Sequence, residues 1–291
     1  LKLRTAAILF AAALSAASLA ACSDDGGDGA SDTTEAEAEA DETTTTTAAA
    51  AEPLQILVTN DDGYDAEGID TLVEALRELP DVEITVVAPL TQQSGQGGKS
   101  TNGELSVTEV ATASGYDATA VEGFPADSVR VALDEQGVEA DVVIAGINEG
   151  QNLGPLVDIS GTVGAARAAV ARGIPALATS QGSGDTFDYE AAVPFIVDWV
   201  EEHRDDLVAG EATVEVHSMN IPSCDEGEVQ GLAEIEPDLG GDPSGALVEQ
   251  DCTTGLAVED AATDVEAFNN GWVTLSMLPA EPATPAEVVE G

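Results

Sequence analysis

Four short polar clusters carry the residue types that could do chemistry in this chain. Asn60-Asp61-Asp62-Gly63 offers two adjacent carboxylates, and Thr91–Gly98 (TQQSGQGG) offers hydroxyls and amides on a glycine-rich loop that includes Ser94. Asn148-Glu149-Gly150-Gln151-Asn152-Leu153-Gly154 adds further amides, and Ser160-Gly161-Thr162 stands directly before an alanine-rich stretch. The donors are oxygen atoms, with no clustered histidine or thiolate. A hard-oxygen set of low ligand count suits Mg²⁺ or Mn²⁺, leaves positions open for water and phosphate, and argues against zinc. A helix beginning at Gly161 would present free N–H groups and a positive dipole end, which is an anion site. Each cluster also has an ordinary reading: Asp-Asp-Gly as a turn, Ser160 as a helix cap, Asn148 as a left-handed residue. Their combination favours a metal-assisted phosphate site.

The elements between the clusters have to place them together. Leu54–Thr59 (LQILVT) reads as a buried strand, Ile69–Leu79 as an amphipathic helix, and Val82–Ala88 (VEITVVA) as a second strand. Helices near Ala126–Leu133 and over Thr162–Arg172 alternate with strands at Asp141–Ile147 and Ala176–Ser180. A longer helix over Tyr189–His203 and strands near Val214–Met219 and Val273–Met277 complete the pattern. Strand, helix and strand with short links require a right-handed crossover and a parallel sheet. The expected fold is therefore a doubly wound, mostly parallel α/β sheet in a Rossmann-like three-layer sandwich, with a C-terminal hairpin extension where residues 220–262 turn glycine-, proline- and acid-rich. Ligands of such sheets sit beyond the carboxyl ends of the strands, where the first three clusters fall. Neighbouring strands are ~4.8 Å apart, so loops leaving adjacent ends can share one site.

The motifs ILVTNDDGYDAEGIDTLVEAL, VVAPLTQQSGQGG, EGFPADSVRVAL and DVVIAGINEGQNLGPLVDISGTVGAARAAVARGIPALATS closely resemble, in order and spacing, the survival protein SurE family of 5′/3′-nucleotidases. HSMNIP and TDVEAFNNGWVTLSMLP resemble its closing strands, so the likeness runs from about residue 54 to 279. The resemblance implies a phosphoric monoester hydrolase acting on nucleoside monophosphates, with one Mn²⁺ or Mg²⁺ held by Asp61, Asp62, Ser94 and Asn148. It implies that Asn152, Ser160, Gly161 and Thr162 contact the substrate phosphate, and that the protein works as a homo-dimer or homo-tetramer. Either Asp61 or Asp62 could double as the base. Two rivals stay open: a broad acid phosphatase or exopolyphosphatase differing in leaving group, and a surface lipoprotein that binds nucleotide or metal without turnover. No G-x-S-x-G occurs, and His203 and His217 read as structural or exposed. Lys99 in the glycine-rich loop reads as a solvated residue or a phosphate contact.

At 291 residues the chain is long enough for a sizeable core, and 43% hydrophobic residues with only 3% aromatic make that core aliphatic. Fifty-six acidic residues face eight basic ones, a net charge of −48. No basic surface exists to neutralise a duplex nucleic acid. Such a charge density is relieved at high salt, which reads as adaptation to saline surroundings.

Lys2 and Arg4 precede a small-apolar run that ends at Leu19-Ala20-Ala21-Cys22. About 16 apolar residues span roughly 24 Å, short of a ~30 Å membrane core, so residues 1–22 read as a signal peptide. The run's end resembles a bacterial lipobox, with Cys22 the acylated residue and the protein exported, anchored on the outer face of the cytoplasmic membrane or in the periplasm. Residues 23–52, acidic and rich in Thr and Ala, read as a disordered stalk before a catalytic domain over 53–291. With Cys22 lipidated, Cys224 and Cys252 remain as a pair for a disulfide in an oxidising compartment, the alternative being two buried thiols.

Overall fold

The computed structural model describes residues 52–283 and 286–290. The expected leader, Cys22 and all of the stalk but its last residue lie outside the described residues.

Eleven strands and five α-helices form the described part. In chain order they are β1 (Leu54–Thr59), α1 (Glu67–Arg77), β2 (Val82–Pro89), β3 (Ser100–Asn102), β4 (Val107–Ala111), β5 (Asp117–Val121), α2 (Pro125–Arg130), β6 (Val142–Glu149), α3 (Gly161–Val170), β7 (Ala176–Gln181), α4 (Tyr189–Val208), β8 (Val216–Ile221), β9 (Leu232–Glu234), α5 (Asp264–Asn269), β10 (Val273–Leu278) and β11 (Val288–Glu290). Nine strands make one sheet in the order β4-β5-β2-β1-β6-β7-β8-β10-β9. Its middle, β5 to β8, is parallel throughout, while β4 and β10 attach antiparallel. The progression of strands reverses direction at β1, which has β2 on one side and β6 on the other. The carboxyl ends of β1 and β6 thus flank the crevice where doubly wound sheets bind ligands.

Alternation along β1 shows how the sequence makes two buried faces. Leu54, Ile56 and Val58 pack with α1 and α4 residues such as Leu72, Leu76, Ile196 and Trp199. Leu57 faces the other way, into a cluster with Val129 of α2 and the alanines of α3. Ala165, Ala166 and Ala169 are fully buried, and their small side chains let α3 lie close on β6 and β7.

The strand–helix alternation follows the sequence expectation, with differences of a few residues at element ends. α4 runs on to Val208 and keeps Pro194 inside it. The pair β4–β5, invisible to the periodicity argument, is a real antiparallel edge: four of the five residues of β4 are exposed or nearly so, and β5 is DATAV, so neither offers a strong apolar run. The expected C-terminal hairpin is a correction. Past the end of β8, the one strand among the described residues of 222–262 is β9, and it pairs parallel with β10, which a hairpin's tight turn cannot produce. A disulfide between Cys224 and Cys252 closes this segment instead. A separate two-stranded parallel pair, β3 with β11, ties the chain's end to the stretch after the glycine-rich loop.

Candidate active site

Asn60 leaves the end of β1 fully buried, and its side chain both donates to the Gly63 carbonyl (2.8 Å) and accepts from the Gly63 N–H (3.2 Å). This closed turn holds Asp61 and Asp62 at the crevice. The Asp61 carbonyl accepts from Gln93 N–H at 2.6 Å, which fastens the turn to the glycine-rich loop after β2.

The two carboxylates face different neighbours. Asp61, 2% exposed, accepts a 2.6 Å hydrogen bond from the Thr162 hydroxyl. A methyl group at Gly161 would lie 2.7 Å from the Asp61 side chain, and one at Gly164 would lie 2.3 Å from the Gly97 carbonyl. Glycine at both places lets the start of α3 meet the Asp turn and the glycine-rich loop. Asp62 accepts from the Glu149 N–H at the end of β6 (2.9 Å), and the Ser94 hydroxyl, which accepts from the Gln92 amide at 2.7 Å, is near enough to favour the ionised form of Asp62. Asn148, 6% exposed, precedes Glu149 and spends its amide N–H on the Gly150 carbonyl, which leaves its side-chain oxygen uncommitted among the described residues.

No Lys or Arg among the described residues pairs with Asp61 or Asp62. Burial first, and the Asp61 charge second, push the Asp62 carboxyl up to about 7. Burial also raises Asp61, against the Thr162 hydroxyl and the N–H groups of Gly161 and Thr162, which favour its ionised form. A buried carboxylate beside a half-buried one, neither paired with a basic side chain among the described residues, with one hydroxyl and one amide oxygen beside them, fits a hard divalent cation.

At the start of α3, Ser160, 4% exposed, caps the helix by accepting from Val163 N–H at 3.1 Å. The amides of Gly161 and Thr162 favour the ionised Asp61 carboxylate beside them.

Asn152 sits further along the same loop. Its N–H donates to Asn220 of β8 at 2.7 Å, and its side-chain amide donates to the Ser180 hydroxyl of β7 at 2.9 Å. Neither partner was legible in the sequence, because lone polar residues at strand ends carry no periodic signal. Glu149 carries no distinguishing signal within its cluster, yet its backbone N–H anchors Asp62. Lys99 is partly exposed and turned to the C-terminal segment: it pairs with exposed Glu287 at 3.2 Å and lies 5.1 Å over the Phe124 ring. His217 accepts from the Trp199 indole N–H at 3.0 Å and sits 3.0 Å from Glu215, and His203 stacks on the same Trp199, so both histidines are structural.

The family model described as Survival protein SurE matches residues 56–236. The 5′-nucleotidase SurE of Brevibacillus brevis is 41% identical over 186 residues, covering 62% of this chain and 70% of that one. The 5′-nucleotidase SurE of Clostridium botulinum is 36% identical over 183 residues, covering 62% and 71%. Among solved structures, the SurE protein from Aquifex aeolicus superposes with a TM-score of 0.61 at 26% identity, covering 78% of this chain and 94% of that chain.

Proposed function

The chain belongs to the survival protein SurE family, and from that premise we propose that it hydrolyses nucleoside monophosphates to nucleoside and phosphate with the help of one Mn²⁺ or Mg²⁺. The observation that carries the reading is the uncompensated carboxylate pair at the sheet's reversal point, joined there by Ser94, the end of β6 and the start of α3. Asp61, Asp62, Ser94 and Asn148 would hold the cation. When bound it supplies charge neutralisation at the phosphoryl oxygens and lowers the pKa of a coordinated water.

The chain's own residues do the rest. Thr162 and the α3 amides favour the ionised form of Asp61 against the burial that raises it, and the Glu149 N–H and Ser94 do the same for Asp62. Either carboxylate would accept the proton of the attacking water. Asn152, locked by Asn220 and Ser180, together with Ser160, Gly161 and Thr162, lines the phosphate side. The same reading has the protein acting as a homo-dimer or homo-tetramer, exported and tethered to a membrane through lipid on Cys22.

The test is phosphate release from AMP and GMP. Native protein with Mn²⁺ should turn over, chelated protein should not, and Asp61→Asn or Asp62→Asn should lose at least a hundredfold in kcat while retaining the native circular dichroism. Turnover kept by both folded variants, or nucleotide binding without phosphate release by the native protein, overturns the proposal.

A further inference from the structure

A cavity of about 480 Å³ opens beside Asp62, within the roughly 300–1,000 Å³ typical of small-molecule sites. Its walls include Glu67 at the start of α1, Gln92, Glu149, and Phe187 and Tyr189 at the start of α4. The two aromatic rings stack at 6.0 Å with an interplanar angle of 20°. Tyr189 is 6% exposed, and its hydroxyl makes no hydrogen bond among the described residues. The hydroxyl is not one of the sealed-off polar atoms, so it stays open to whatever occupies the cavity. Burial, with Asp62, Glu149 and Glu67 nearby, also keeps that phenol protonated, so it faces the cavity as a donor. Around it stand the carboxylates of Glu67 and Glu149, both on exposed residues and neither in an ion pair among the described residues.

We infer that this cavity is the leaving-group subsite: it takes an uncharged, hydrogen-bonding nucleoside, and Glu67 and Glu149 exclude leaving groups that carry further phosphates. The inference rests on the hydrolase reading above. In that reaction water forms a bond to phosphorus, the bond from phosphorus to the leaving oxygen breaks, and a proton ends on that oxygen. With a nucleoside monophosphate the departing alcohol is neutral, its hydroxyls and ring amines can donate to the two carboxylates, and its ring acceptors can take the Tyr189 hydrogen. With a polyphosphate the departing group is itself an anion next to two negative charges. At separations of several Å in a solvated cleft, each carboxylate disfavours such a group by about three- to tenfold.

The experiment compares kcat/KM for AMP and for tripolyphosphate on the full chain with Mn²⁺, at low salt and at 1 M. The native protein should prefer AMP. Glu149→Gln and Glu67→Gln should each lower the AMP-to-tripolyphosphate ratio by about three- to tenfold, the double variant by more, and 1 M salt should narrow the native ratio. Tyr189→Phe should raise KM for AMP more than for tripolyphosphate. A native ratio at or below one, or a ratio unmoved in all the carboxylate variants, overturns the inference while leaving AMP hydrolysis standing. Native protein that fails to hydrolyse AMP at all overturns the hydrolase reading, and this inference with it.

Discussion

Asp62 stores an electrostatic cost that a bound cation would remove, and this gives the site a pH signature. Its carboxyl sits at about 7, against ~4 in an unfolded chain. Between those values the native protein retains a proton that the unfolded chain has released. This group's contribution is therefore fully present below the lower value and is lost as pH rises through about 7. A divalent cation favours the ionised form, so its own stabilisation grows over the same interval. Thermal melts should show Mn²⁺ raising the Tm of chelated protein modestly at pH 5 and clearly more at pH 8, with Asp62→Asn flattening the difference. A Mn²⁺ increment independent of pH would contradict this account. At this scale the sequence was informative about residue types: Asp61, Asp62, Ser94 and Asn148 stand at the ends of successive elements, and the fold brings those ends together. It was silent on partners such as Asn220 and Ser180, because which polar residues meet across a sheet depends on strand order.

At the scale of elements, the segment between Cys224 and Cys252 acts as a bracket for the loop that bears Asn152. The Gln151 side chain donates to the Ala246 carbonyl at 2.8 Å and accepts from Ser183 N–H at 2.9 Å. The buried Asp264 carboxylate accepts the N–H of Gly154 at 2.9 Å with one oxygen and that of Asp238 at 2.8 Å with the other. Leu153 packs with Ala246 and Phe268 in a small core of its own. Opening a bridge with a sequence separation of 28 should cost on the order of 3–4 kcal/mol in the chain-entropy model. Reduction, or Cys224→Ala with Cys252→Ala, should lower Tm and raise KM for AMP more than it lowers kcat, as read by melts and steady-state kinetics with and without reductant. Kinetics and Tm unchanged after verified reduction would show that the bracket holds without its bond. The paired cysteines could be argued from composition and compartment, whereas the parallel attachment of β9 could not, since a three-residue strand has no pattern to read.

Across the whole molecule the dominant quantity is the net charge of −48. Like charges at this density repel over a Debye length of ~10 Å at 0.1 M salt and only ~3 Å at 1 M. Tm should therefore rise steadily from low to molar salt in a non-chaotropic chloride series, and a flat or falling curve would remove the reading of saline adaptation. By itself the sequence determined the alternation of strands and helices, the aliphatic core and the oxygen chemistry of the polar clusters, because periodicity and residue type are local properties of the chain. Only the tertiary structure decided that the sheet reverses at β1, that Asp61 meets the start of α3 while Asp62 opens onto a cavity, and that Lys99 is spent on the C-terminal segment. These are meetings between residues distant along the chain, fixed by how whole layers pack and where the chain must cross from one sheet face to the other.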